Sequence, residues 1–383
     1  MRYDFVVLGA TGMQGRIVSR DLLENGFSVL MCGRDKPRVD QILDKYDKTS
    51  FQYVDINDKS HALDVLKKSG ANVVVNCMEG DFNLLALELS MKANASCLDL
   101  GSEIWMTKRQ LKLNDLLKRK GLISITGCGS VPGVGNVMLT HAANKLDKVT
   151  DIDVGFSWDS NIKKFVVPFS IKSILEEFTD PAPIVQKGKF IKKTPLDSVI
   201  VDHHREIGKQ KEFFVRHPET YTFFRYFKDK GVKNIRFYAG FPQHSFEKIM
   251  AMIDLGLASY DELLINGVKI APVDFLTEVL KRIQIPKEYK EEENLWVKVT
   301  GEKNKEKKTI LMECIVPTLS GWHDAGCNID TGMPASIMAQ FVKNETIKEK
   351  GSFAPEACVP PEPLFKELRK RKMVVYENGR IIN

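Results

Sequence analysis

The stretch Gly9-Ala10-Thr11-Gly12-Met13-Gln14-Gly15 offers the clearest chemistry in the sequence. Three glycines at three-residue spacing, placed straight after an apolar run, can wrap main chain around a diphosphate. Gly9 permits a tight turn, Gly12 lets backbone approach the phosphates, and Gly15 lets a helix lie close to a strand. The amides around Thr11, Met13 and Gln14 would then face the ligand at the positive end of the helix. A second signal is Gly33-Arg34-Asp35 at the end of the next apolar run. Sites for NAD usually place an acid there to hold the ribose 2′-hydroxyl. Here Gly33 makes room for a 2′-phosphate, and Arg34, with Lys36 and Arg38 nearby, can pair with it. The expected cofactor is NADP(H). NAD(H) stays admissible because Asp35 could reach a ribose hydroxyl one residue late. Asp55 and Ile56 fall where an adenine edge would sit, and Asn76 and Cys77 where the nicotinamide ribose would. Cys77 has no histidine near it in sequence to activate the thiol, so it is read as packing.

Such residues function only on a frame that brings strand ends together. From residue 1 to about 128, short β-branched runs such as Phe5-Val6-Val7-Leu8 and Asn72-Val73-Val74-Val75 alternate with helical segments such as Gly12 to Glu24. Strands that are apolar throughout and separated by helices form a parallel sheet covered on both faces. Right-handed crossovers make it doubly wound, the Rossmann arrangement. The expected fold class is α/β, with a dinucleotide-binding domain over residues 1–130. An α+β substrate domain with a mixed or antiparallel sheet is expected over 131–329. There, Asp151 to Trp158 alternates like a half-exposed strand, and Leu295 to Val299 pairs with Lys308 to Val316 across a charged loop over 301–307.

Composition narrows the function classes. At 383 residues, two domains are expected. The net charge of +6, from 56 basic and 50 acidic residues, is small and scattered, so no nucleic-acid partner is expected. No run approaches about 18 apolar residues, so no membrane span is expected. Seven cysteines without a Cys-x-x-Cys pair imply neither disulfides nor a zinc site. His203-His204 would point to opposite faces of a strand, so no metal is expected. The opening residues lead straight into a strand, which is read as a cytoplasmic protein without a signal peptide. A homodimer would be unsurprising as a base rate.

With these features the chain resembles the saccharopine dehydrogenase superfamily. The N-terminal fingerprint, the Asp99-Leu100-Gly101 strand end and Gly129 to Gly133 carry the likeness. Its lysine 6-dehydrogenase branch is resembled at Phe169-Ser170-Ile171, Phe178 to Ala182, Gly351 to Glu356 and Lys372 to Val375. Val131 stands where saccharopine reductases carry Asp, and Leu100-Gly101-Ser102 where they carry Ser-Tyr. Both departures agree better with the lysine branch, although that branch generally uses NAD. The resemblance implies that residues 330–383 return to the cofactor domain. It also implies hydride transfer between the nicotinamide and a carbon bearing an amine, most simply in an amino-acid substrate.

An ε-ammonium must lose a proton before its neighbouring C–H leaves as hydride, so a carboxylate or histidine is required. Asp99, at a strand's C-terminal end, is one candidate, and Glu103 a weaker one. The polar cluster Arg216-His217-Pro218-Glu219, followed by Arg225, supplies the other candidates: His217 or Glu219 near the amine, and Arg216 among the substrate-binding residues. The substrate's α-carboxylate is assigned to Arg225, an arginine the resemblance includes, and Gly101 falls among the cofactor residues. Three readings stay open. One is a lysine 6-dehydrogenase-like or saccharopine dehydrogenase-like enzyme. Another is a saccharopine- or carboxynorspermidine-type reductase joining amine and carbonyl, for which two carboxylates need a second arginine, Arg205 or Arg216. The third is a dinucleotide sensor without catalysis.

Overall fold

A computed structural model describes residues 2–101, 103–165, 171–284, 286 and 288–383. The Phe169-Ser170 part of the resemblance, and Ser102, lie outside them. The N-terminal part runs β1 (Phe5–Leu8), α1 (Met13–Glu24), β2 (Val29–Gly33), α2 (Asp40–Lys45), β3 (Thr49–Tyr53), α3 (Lys59–Ser69) and β4 (Val73–Asn76). It continues through α4 (Asn83–Lys92), β5 (Ser96–Asp99), α5 (Ile104–Leu111), α6 (Asn114–Lys120) and β6 (Ile123–Ile125). The sheet is parallel in the order β3-β2-β1-β4-β5-β6. Phe5 and Val7 pack on one face and Val6 and Leu8 on the other, which is why β1 is apolar at every position.

Helix α7 (Val134–Asn144) leads into the second part: β7 (Lys148–Ser160), α8 (Ile171–Thr179), β8 (Ala182–Gln186), β9 (Lys189–Lys193), β10 (Ile200–His204) and β11 (Gly208–Phe214). There follow α9 (Glu219–Phe227), β12 (Asn234–Phe241), α10 (Gln243–Asp254), β13 (Leu263–Ile265), β14 (Val268–Ile270) and α11 (Pro272–Leu280). Long strands β15 (Glu291–Lys303) and β16 (Glu306–Pro317) complete it. The sheet is mixed: β12 lies parallel to β7, and the other pairs are antiparallel. The charged loop expected over 301–307 is much shorter. Both strands run on to a turn at Asn304-Lys305, whose φ values of 54° and 68° suit the right-handed twist of a two-residue hairpin.

The tail is α12 (Ile329–Lys343), β17 (Gly351–Phe353), α13 (Pro355–Cys358), α14 (Pro361–Lys370), β18 (Val374–Glu377) and β19 (Arg380–Ile381). Helix α12 packs on α1, where a side chain at Gly332 would run into Ile17. Strand β17 extends the parallel sheet beyond β6. Strands β18 and β19 instead extend the mixed sheet beyond β16, so the tail is shared between the two sheets. One apolar core is continuous from Val7 and Ile17 through Val137 to Val297 and Phe213. Among the described residues no helix is long and apolar enough to cross a membrane.

Candidate functional site

The glycine loop has the form a dinucleotide needs. Gly9 adopts φ +73°, and a side chain there would strike the backbone of Cys77. A side chain at Gly15 would strike the Gly9 carbonyl, so helix α1 could not lie this close to β1. Gly12 caps α1, no side chain caps it, and its first turn, with Met13 and Gln14, carries no acid. Those amide donors remain for an anion. Gly33 has a neighbour its sequence context did not reveal: a Cβ there would press on the Thr11 side chain. Arg34 and Asp35 are exposed at the end of β2. Beside them Arg16 is half-buried with Nη1 3.3 Å from the Thr11 carbonyl. Burial and the charge of Arg38 lower its pKa, with Asp324 opposing. This donor set fits a phosphorylated dinucleotide.

The remaining strand-end residues divide by role. Asn76 is buried and donates to Asn83 Oδ1 at 2.8 Å, and Asn83 donates to the Gly101 carbonyl at 3.0 Å, tying β4 to β5. Burial pushes the Cys77 thiol well up, which removes it as a nucleophile. Asp55 accepts from Asn57 N at 3.0 Å and so caps its own turn, and Ile56 is core. Asp99 does not serve as the base expected of it. Its carboxylate is buried and accepts from Gly101 N at 2.8 Å, Gln110 Nε2 at 2.6 Å, Thr126 Oγ1 at 3.1 Å and Gly127 N at 3.1 Å. It staples the strand ends from beneath the cleft floor.

Across from these strand ends lies a cleft of about 310 Å³. Leu100, Gly101 and the loop Gly129 to Pro132 form one wall; Glu176 and Glu177 of α8, with Arg216 and His217 before α9, form the other. The His217 ring stacks on Phe237 with centroids 4.0 Å apart, and its Nδ1 lies 3.0 Å from Glu219 Oε2. Burial disfavours the charged ring, but the carboxylates of Glu219, Glu177 and Glu103 together outweigh it, so the His217 pKa is raised. Glu219 is fully buried behind His217, a position from which it orients the ring and meets no substrate. Arg216 bridges Glu103 at 2.9 Å and Asp180, from the Phe178 to Ala182 motif, at 3.0 Å. Arg225 is exposed on the outer side of α9: Phe223 and Phe227 face the core, and helical spacing turns position 225 away from them.

A recess of about 230 Å³ continues past His217, Val131 and Thr331. Glu291 and Glu293 of β15, Asp330 of α12, and Phe156 and Trp158 of β7 line it. The Glu293 and Asp330 carboxyls hydrogen-bond to each other; burial raises both, Asp330 to about 6. Burial pushes Glu177 up to about 8, with His217 opposing and Glu176 adding to it. The sequence reading missed these acids. Glu291-Glu292-Glu293 has the look of a solvated charge run, yet strand alternation turns 291 and 293 inward and 292 out. The tail motif ending at Glu356 also gains a purpose. Asn136 donates to Glu356 Oε2 at 2.7 Å and accepts from Gly133 N at 2.8 Å, so the tail holds the cleft loop in place.

His204 does have carboxylate neighbours, contrary to expectation. Its Nε2 is 2.6 Å from the buried Glu212, and Asp202 lies close enough that the three could share an ion. His204 and Glu212 form a buried pair under Trp296, and none of the three lines the cleft.

A parallel-sheet dinucleotide domain that opens onto an acid-lined cleft against a mixed-sheet domain defines a two-domain NAD(P)-dependent oxidoreductase. Residues 5–125 match the saccharopine dehydrogenase NADP binding domain, and residues 129–374 match the saccharopine dehydrogenase C-terminal domain. The chain belongs to the saccharopine dehydrogenase family; it is a dehydrogenase, and its cofactor is NADP(H). Carboxyaminopropylagmatine dehydrogenase of Synechocystis sp. is 22% identical over 379 residues, which cover 95% of this chain and 94% of that protein. Saccharopine dehydrogenase (L-Glu forming) of Saccharomyces cerevisiae has the same fold, with a TM-score of 0.80 over 100% of both chains at 14% identity.

The exposed Arg34 gives the first prediction. Arg34→Ala should weaken NADPH binding about 10- to 100-fold, the worth of a charge-assisted hydrogen bond, and leave NADH binding unchanged. Fluorescence titration with the two reduced cofactors checks it; an equal loss for both would show that Arg34 does not read the 2′-phosphate.

Proposed function

We propose that the protein is an NADPH-dependent reductase that joins an amine to an α-amino acid bearing a side-chain aldehyde. The observation that carries this reading is the charge of the cleft. Among its described lining residues the one arginine is Arg216, which faces many acids. Arg205, the other arginine a second substrate carboxylate would require, stands against Glu313 at 3.3 Å and over Tyr376 at 4.3 Å, outside the cleft. One carboxylate and an excess of positive charge on the substrate suit this site; a dicarboxylate pair does not. The Synechocystis relative's name supports the reading, since it describes an amine carrying a carboxy-amino-propyl group.

Amine and aldehyde condense to an imine with loss of water; one hydride to carbon and one proton to nitrogen then give the secondary amine. NADPH, when bound, supplies the hydride. Arg216 holds the carboxylate, and its bridges to Glu103 and Asp180 keep the guanidinium fixed. His217, braced by Glu219, gives the proton to nitrogen, and Phe237 keeps the ring in one plane. Leu100 and the loop at Gly129 to Pro132 exclude water from the strand-end wall.

Lysine also has one carboxylate and one reacting amine, so a lysine 6-dehydrogenase-like activity is the second reading. Assays with NADPH, amine and an amino-acid aldehyde separate the two. Oxidation of NADPH is expected only when both partners are present. Reduction of NADP⁺ by lysine alone would replace the proposal with the lysine reading. Tight cofactor binding without any turnover would leave a dinucleotide sensor.

A further inference from the structure

We infer that Asp202, His204 and Glu212 hold one divalent ion of the zinc class, at a site apart from the reaction. Strand alternation puts Asp202 and His204 on the same face of β10, while His203 turns out to solvent. Glu212 joins them from β11, which pairs with β10 so that Asp202 stands opposite Gln210. The hairpin does not lie flat. In the sheet order β10-β11-β12-β7-β15, four strand spacings, about 19 Å, separate β10 from β15. Yet the His204 ring stacks on Trp296 of β15 with centroids 5.4 Å apart, so the sheet curls over these residues. Glu212 accepts from Ser157 Oγ of β7 at 2.8 Å. Ser157 alternates with Phe156 and Trp158, which line the recess, so the site occupies the opposite face of the sheet from the cleft.

The three donor atoms lie within 4.8 Å of one another, with His204 Nε2 2.6 Å from Glu212 Oε1. An ordinary histidine–carboxylate pair does not account for them. That contact lacks hydrogen-bond geometry and leaves Nε2 without a partner, and Oε2 of the fully buried Glu212 has none either. The side-chain oxygens of Gln210 and Asn294 are likewise buried and unmet. Gln210 stands opposite Asp202, and Asn294 opposite the Ser157 that touches Glu212. Among the described residues no lysine or arginine pairs with Asp202 or Glu212. Neighbouring acceptors shielded from water and short of donors are costly, and a cation supplies what they lack. One imidazole nitrogen with two carboxylates selects a zinc-type ion over magnesium or calcium, which prefer all-oxygen sites. Two donors of one tetrahedral ion stand about 3.4 Å apart. Small turns of the Glu212 carboxylate and of the exposed Asp202 side chain reach that spacing. A water held by the ion offers an acceptor to Trp296 Nε1, the unmet donor beside them.

Titration of tag-free protein, stripped of metal with a chelator, with zinc chloride tests this; elemental analysis after gel filtration counts the metal retained. One zinc per chain is expected, held more than about 100-fold more tightly than magnesium. His204→Gln should weaken zinc binding by about 100-fold or more, beyond what an outer-shell partner contributes. Asp202→Asn, exposed and so no burden on folding, should weaken it about 10- to 100-fold. Both variants should keep the NADPH affinity of the unaltered protein, which shows that they fold, because none of the three residues lines the cleft. No zinc retained by the unaltered protein would overturn the site and leave a plain histidine–glutamate contact. Zinc retained when His204 and Asp202 are replaced together would overturn it too. So would equal affinities for zinc and magnesium, the mark of a diffuse acidic surface without an imidazole ligand.

Discussion

Replacing His217 with glutamine is expected to lower kcat by about 10²- to 10⁴-fold, the usual contribution of a positioned proton-transfer group, with NADPH affinity unchanged. The expectation follows from how the ring is held. A face stacked on Phe237 and an Nδ1 committed to Glu219 leave Nε2 for the substrate. The same geometry fixes the pH dependence. In the reductive direction the protonated ring is the active form, so kcat should fall as pH rises through the His217 pKa. Against burial, Glu219, with Glu177 and Glu103 behind it, holds that pKa above the ordinary histidine value. Glu219→Gln removes the anion, so the falling limb should move to lower pH. Steady-state kcat–pH profiles of the two variants check both statements. A Glu219→Gln profile superimposable on that of the unaltered enzyme would mean another group supplies the proton, with buried Glu177 the next candidate.

The largest stability effect is expected at Asp21. Its carboxylate receives Arg371 Nε and Nη2, each at 2.8 Å, and Ser336 Oγ at 2.6 Å. The side chains of Asp21 and Arg371 are only 4% and 7% exposed. Asp21→Ala leaves a guanidinium in the interior with Glu367 as its remaining carboxylate, and should cost about 3–5 kcal/mol. Replacing both partners with apolar residues, Asp21→Leu with Arg371→Met, should cost clearly less, because no charge is then left unpaired. Urea unfolding curves for the single and double variants measure the difference. A loss below about 1 kcal/mol for Asp21→Ala would place the pair among weak surface bridges.

What the residues disclose in advance depends on whether a signal is periodic or tertiary. The parallel sheet is legible because strands buried on both faces are apolar at every position, and Val73 to Val75 can be little else. The cofactor loop is legible because glycine spacing is a local constraint. Asp99 shows where such reading stops. A strand end is where ligands bind, but whether the carboxylate points up into the cleft or down to Gln110 and Thr126 depends on loops far along the chain. Arg225 fails for a simpler reason, its phase on α9. The acids of the recess were out of reach because three elements distant in sequence, α8, β15 and α12, bring them together. Strand β17, three residues long, carries no periodicity at all, and the resemblance to known tails supplied its place.

The sharing of the tail between both sheets has a consequence for how the molecule is made. A fragment ending near residue 130 would have β6 as a bare sheet edge and α1 without the helix that covers it. The coenzyme-binding half is thus completed by residues far along the chain, from Ile329 to Arg371. A growing polypeptide on the ribosome keeps its first third unfinished until the tail from Ile329 to Arg371 has been made.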